Sequence, residues 1–381
     1  MMTHLTLIVP FSVPPGADAD PDGGMTDALL RQLELPALGK LLTRGAAGER
    51  ERHGADFDPT ALRSLPHERW LAARAGLDTA RVPTAPYMRL ADHADRGDRT
   101  AGAQANSPDS ATPVGWACLQ PVHIHAARDH LVLMDPARLD VSAAEADALR
   151  AAIEPLLTDS GIVLDAPHPA RWYVPDSVFG PLDASAPLRA AGRNIDVWMQ
   201  SGARERDWRR LQNEIQMTWF DHPVNQAREA AGALTINSVW LHGMGVLEPV
   251  PPLADRVWSD DPLPRGLALA AGAHGAPLPA RLDAASMQGS ALALADSATT
   301  AYIAEDWARW IDAMHAIEAD WFAPALDALE GGQLQALTLV LAGDHHYAEF
   351  TVRRADLRKF WRGIGSRGDW RALLSNLALA A

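Results

Sequence analysis

Residues 335–343, QALTLVLAG, form a short apolar run that closes on a glycine, and two other runs share its character: HLTLIVP at 4–10 and TINSVWLHG at 235–243. Each is bounded by Pro or Gly and carries β-branched residues, the composition of a strand buried on both faces. Helical patterns lie between them. Trp208, Leu211, Ile215 and Trp219 recur at spacings of three, four and four, one apolar stripe of a helix. A second helical stretch runs over 306–332 and stops at Gly331 and Gly332, as a helix C-terminus should. Strands alternating with helices predict an α/β fold with a mainly parallel central sheet flanked by helices.

A chain of 381 residues exceeds a comfortable small domain, so one large domain with an insertion, or two domains, is expected. Residues 95–113, DRGDRTAGAQANSPDSATP, hold no large apolar side chain and read as a linker. Beyond it, 114–136 alternates as a hairpin would, and Ser142 with Glu145 has the spacing of a capping box opening a helix. The expected division is therefore 1–112 as the first part of the large domain, 113–190 as a small inserted α+β domain, and 191–381 as the remainder. With 34 basic against 48 acidic side chains and a formal charge of −14, a nucleic-acid partner is disfavoured. The single cysteine, Cys118, allows neither a disulfide nor a Cys-rich zinc site within the chain. The N-terminal run is broken by Pro10 and preceded by no Lys or Arg, unlike a signal peptide. No stretch has the uninterrupted apolar length of a membrane span. A cytoplasmic protein without a membrane partner is expected.

Three segments carry chemically capable residues. In 221–245, DHPVNQAREAAGALTINSVWLHGMG, stand His222, Asn225, Arg228, Asn237, Gly243 and Gly245. The two glycines permit close backbone approach to a ligand, but Glu248 stands where a dinucleotide fingerprint needs its third glycine. Helix capping by His222 and Asn225, with Arg228 paired to a carboxylate, is the alternative. In AGDHH, Asp344 and His345 follow a strand; both can reach one ion only if the chain leaves extended geometry at Gly343. In VHIHAARDH, His123 and His125 fall on one face of a strand and read as sheet-surface residues.

Taken together, HPxN at 222–225, then Arg228, Gly232, Asn237, Gly243 and Gly245, resembles the archaeal-type cofactor-independent phosphoglycerate mutases of the alkaline phosphatase superfamily. Residues 129–157 resemble that family's inserted domain. RWYV at 171–174, NEIQM at 213–217 and AGDHHYAEFTVRRADLRKFWR at 342–362 are closer still to the RpfE-type regulatory proteins of proteobacteria, which are mutase-like.

The mutase resemblance implies two divalent metals, Mn or Zn, held by Asp and His, and a serine that is transiently phosphorylated. Phe11 and Ser12 stand where the family carries a metal-binding Asp-Gly, and Ser64 lacks the Gly-Ser-Asp setting of the nucleophile. Asp306 is the remnant of a further ligand run, while Asp344 and His345 match ligand positions. The resemblance thus implies a catalytically degenerate, regulatory protein with no cofactor. In it Arg171, His222, Asn225, Arg228 and Asn237, with Gly243 and Gly245, line a crevice for a small phosphorylated or carboxylated metabolite. An active metal-dependent mutase or phosphoesterase is the alternative. A protein partner at the C-terminal segment, where Leu357, Phe360 and Trp361 have helical spacing, is a third expectation.

Overall fold

A computed structural model describes residues 3–16, 20, 22–51, 58–98, 114–180, 182–359 and 369–379. The chain divides into two units: Met1–Pro59 with Pro252–Ala268 and Gly272–Ala381, and Thr60–Pro251 with Leu269–Ala271. The expected boundaries at 112 and 190 both fall inside the second unit. Phe360 and Trp361 lie outside the described residues.

The first unit is built on a seven-stranded sheet. His4–Val9 lies at its centre, parallel to Ser290–Leu294 on one side and to Ala336–Ala342 on the other, with His4 opposite both Ser290 and Ala336. Leu5, Leu7, Ile8, Leu337, Leu339 and Val340 are fully buried, as continuous apolar strands covered on both faces must be. Arg256–Ser259 and His274–Ala276 extend the parallel part. Tyr347–Arg353 and Ala46–Arg50 close the other edge antiparallel. The sheet is mainly parallel and flanked by helices, the expected α/β class.

The long helical stretch is two helices, Trp307–Ile317 and Ala323–Gly331, joined through a π-helical turn, Glu318–Phe322. It ends on Gly332 at φ 83, a left-handed cap that glycine adopts without steric cost. The turn presents the Glu318 carboxylate to helix Pro36–Arg44, where it accepts from the Ala37 and Leu38 amides at 2.5 and 3.1 Å. These are amides that a helix start leaves without intrahelical partners. The terminal helix Trp370–Leu379 docks on its own unit, with Leu374 and Leu377 buried.

The run at 235–243 corrects one expectation. Its strand, Ser238–Val246, belongs to a separate four-stranded antiparallel sheet in the second unit, beside Gly115–Val122, Arg171–Pro175 and Asp165–His168. One face of that sheet packs on helices Ala143–Asp159 and Glu205–Phe220 through Trp172, Trp208, Leu211, Ile215 and Trp219. Alternation turns Tyr173 and Cys118 to the other face. There Asp92 of helix Thr84–Asp95 meets Tyr173, whose hydroxyl donates to it at 2.6 Å. The strand is apolar because both of its faces are covered, although its neighbours are antiparallel. The capping box at Ser142 and Glu145 is present, and a hairpin joins Ile124–Ala126 to Leu131–Leu133.

Candidate functional site

Parallel strands His4–Val9, Arg256–Ser259, Ser290–Leu294 and Ala336–Ala342 lead just past their ends into Phe11, Asp260, Asp296 and Asp344, at the edge where α/β sheets gather ligands. Gly343 donates its amide to the His346 carbonyl at 3.0 Å, so the chain turns as soon as the strand stops. That turn brings Asp344 Oδ2 within 3.4 Å of His345 Nε2. His346 is buried and donates through Nε2 to the Leu377 carbonyl. Asp306 caps helix Trp307–Ile317, its Oδ1 accepting from the Arg309 amide at 3.2 Å.

Where the resemblance expects a metal-binding carboxylate, Phe11 is buried at φ 52 with its ring 4.9 Å from that of Tyr302. Tyr302 meets Trp307 edge-on at 5.4 Å, and Trp307 meets Trp310 at 6.2 Å. Trp310 Nε1 donates back to the Phe11 carbonyl at 2.8 Å, which closes the circuit. Ser12 is likewise engaged, its hydroxyl donating to the Val9 carbonyl at 2.7 Å. Among the described residues no three His, Cys, Asp or Glu side chains gather as cation ligands do. This donor set does not fit a two-metal centre.

One acid at this edge went unread in the sequence. Asp296 is largely buried, and burial together with the charges of Asp261 and Asp260 raises its carboxyl to about 6.

The expected ligand residues of the second unit make their hydrogen bonds within the protein. Arg171 forms a fork on Asp92, Nε to Oδ2 at 2.8 Å and Nη2 to Oδ1 at 2.7 Å. Arg228 donates from Nε and Nη2 to Glu145, from Nη1 to the Leu139 and Leu234 carbonyls, and from Nη2 to the Asp140 carbonyl. That contact holds the Glu145 carboxyl down at about 2. Asn225 donates to the Trp219 and Ile236 carbonyls and accepts from the Ile236 amide. The Asn237 side chain accepts from the Ile124 amide at 2.8 Å and donates to the Ile124 carbonyl at 2.9 Å. His222 caps helix Pro223–Ala230 through Nδ1. Both arginine forks thus close on carboxylates of this chain.

Gly243 and Gly245 stand elsewhere. A bulge between His242 and Gly245 interrupts pairing with Gly115–Val122 and turns the strand against the start of helix Thr84–Asp95. A Cβ at Gly243, which has φ 70, would stand 2.2 Å from Thr84 Oγ1; one at Gly245 would stand 2.4 Å from the Pro83 Cβ. Gly243 borders a cavity of about 50 Å³ also lined by Arg63, Ser64, Arg81, Thr84 and Asp183. Arg63 donates from Nε to Asp183 Oδ2 and from Nη1 to Ser185 Oγ and the Val197 carbonyl, each at 3.0 Å. Asp183 Oδ1 lies 4.0 Å from Arg81 Nε, so one carboxylate stands between two guanidinium groups. His242, also at this wall, is held neutral, its imidazole pushed down to about 3 by burial and by the Arg171 charge.

Sequence reasoning missed Arg63, Arg81 and Thr84. The available signal was RVPTAP at 81–86, an arginine and a threonine around a proline just before a helix.

No protein-family model and no curated protein matches this chain. Among solved structures it is similar to the PH0037 protein from Pyrococcus horikoshii, with 12% identity and a TM-score of 0.49 over 92% of this chain and 87% of that one. It is also similar to a cofactor-independent phosphoglycerate mutase from Thermoplasma acidophilum, with 14% identity and a TM-score of 0.40 over 99% of each chain.

Proposed function

We propose that this chain is a mutase-like protein that works by binding a small phosphorylated or carboxylated metabolite, in a regulatory role of the kind the RpfE-type resemblance implies. The carrying observation is Phe11. A metal-bearing relative would place a carboxylate there; this chain has an aromatic ring locked against Tyr302, with its carbonyl held by Trp310. Restoring a ligand at that point would mean dismantling four packed rings, so the apolar filling supports loss of the two-metal chemistry.

Elemental analysis of protein purified without chelator, run beside a phosphoglycerate mutase assay, tests the reading. The expected result is well under two Mn or Zn per chain and no turnover. Near two ions per chain, with turnover abolished by Asp344→Ala, would overturn it in favour of an active metal-dependent enzyme.

A further inference from the structure

The cavity beside Gly243 differs from the arginine sites around it in what it leaves open. Its acids already have partners: Glu68 accepts from the Leu65 amide at 2.7 Å, and Asp183 takes the Arg63 guanidinium. Its donors are not all engaged. Thr84 is 4% exposed, and its hydroxyl, at the cavity wall, makes no hydrogen bond to a described residue. Ser64 accepts only a long contact, from the Val82 amide at 3.4 Å, and its own proton has no acceptor among the described residues. Arg63 uses Nε and Nη1, which leaves the two protons of Nη2. Arg81 is 68% exposed in its side chain, with only the 4.0 Å approach to Asp183.

The first turn of helix Thr84–Asp95 adds to this. Pro83 supplies no side-chain cap, and although the Thr84 amide is taken by the Val82 carbonyl at 2.9 Å and Pro86 has no N–H, the positive end of the helix still favours negative charge. The Thr84 hydroxyl opens on the cavity, so whatever occupies the cavity is what can accept its proton. The space, about 50 Å³, amounts to roughly three or four water positions. That suits one tetrahedral oxyanion and excludes a nucleotide.

We infer that this cavity binds a phosphate group, carried by a small phosphate monoester or free, between Arg63, Arg81, Ser64 and Thr84, with the Asp183 carboxylate holding the two arginines in its absence. The inference rests on the binding function proposed above and locates it. Asp183 is a competitor for the same guanidinium groups. A phosphate that enters takes hydrogen bonds from Nη2 of Arg63 and from the Thr84 hydroxyl without displacing the structural contacts of Nη1. It draws Arg81 inward from solvent. Gly243 is required because any side chain there would occupy the space beside the Thr84 hydroxyl.

Titration calorimetry of the full chain with inorganic phosphate and, separately, glycerol phosphate tests this. One saturable site per chain is expected. Thr84→Val, which keeps the side-chain shape, and Arg63→Gln should each weaken it about tenfold or more, as loss of a hydrogen bond to a charged group does. Asp183→Asn should tighten it several-fold, because both arginines lose their internal counterion. Tighter binding of glycerol phosphate than of inorganic phosphate identifies a monoester as the ligand, and the reverse identifies the free ion. If glycerol phosphate binds but Thr84→Val and Asp183→Asn leave its affinity unchanged, the cavity assignment is overturned while the binding function stands. If neither phosphate binds but a carboxylated metabolite does, the cavity assignment again falls alone. If no phosphorylated or carboxylated compound binds at millimolar concentration, both fall.

Discussion

Replacing Asp296 with Asn should stabilise the protein in a pH-dependent way. Its carboxyl is raised from 3.8 to about 6 by burial and by Asp261 and Asp260, so the folded state holds this proton more tightly than the unfolded chain does. The resulting stabilisation is complete below about pH 4, declines as pH rises through the folded value near 6, and is absent above it. The gap between the two values, at about 1.4 kcal/mol per pH unit, is on the order of 3 kcal/mol. Asparagine carries no charge, so Asp296→Asn should match the wild type at pH 4 and exceed it by up to that amount at pH 7.5. At about 2–4 °C per kcal/mol for domains near 200 residues, the melting temperature at pH 7.5 should rise by up to roughly 6–12 °C. Differential scanning calorimetry at the two pH values, with chelator present, reads this directly. Equal gains at both pH values, or a loss at pH 7.5, would refute the claim that a buried charge at Asp296 costs stability.

Arg228→Ala should destabilise by about 3–5 kcal/mol, because it strands Glu145 and three carbonyl groups, a loss measurable by urea titration. In the wild type the Glu145 contribution, with its carboxyl held at about 2, is present above pH 4.5 and lost as pH falls toward 2; Glu145→Gln should flatten that part of the stability profile. Asp92→Asn should cost a similar amount, since the Asp92 side chain is fully buried and balances the Arg171 charge; a double-mutant cycle with Arg171→Met should show strong coupling. Phe11→Ala should cost about 3–5 kcal/mol and weaken the near-ultraviolet circular dichroism of the Trp307 and Trp310 rings.

The two central strands, His4–Val9 and Ala336–Ala342, were legible because both faces are buried and the apolar runs are continuous. Ser290–Leu294, which lies between His4–Val9 and Arg256–Ser259, was not: SALAL has as much helical as strand character, and only its neighbours decide it. TINSVWLHG was legible as a strand but not as a member of a given sheet, since apolar continuity reports two covered faces and says nothing of the direction of the adjacent strands. For the candidate site, the sequence showed which side chains had capable chemistry and not which were engaged. Arg171 finds Asp92 at a separation of 79 residues and Arg228 finds Glu145 at 83. No local pattern carries pairings at that range. The cavity donors Arg63 and Thr84 were missed for the same reason: they meet Asp183 and Gly243 only through tertiary structure.

The position of His4–Val9 sets an order of events during synthesis. Its two sheet partners begin at residues 290 and 336, so this strand is made long before either of the strands it pairs with. At about 5–20 residues per second, the wait is on the order of tens of seconds. Throughout it, Leu5, Leu7, Ile8 and Val9 lack both neighbouring strands, whereas among the described residues the strand pairings of the second unit fall between residues 115 and 246 and are available earlier. The nascent chain thus trails an apolar, β-prone segment while a complete unit is made behind it, which makes His4–Val9 the natural target of ribosome-associated chaperones and the first point of aggregation when they are limiting.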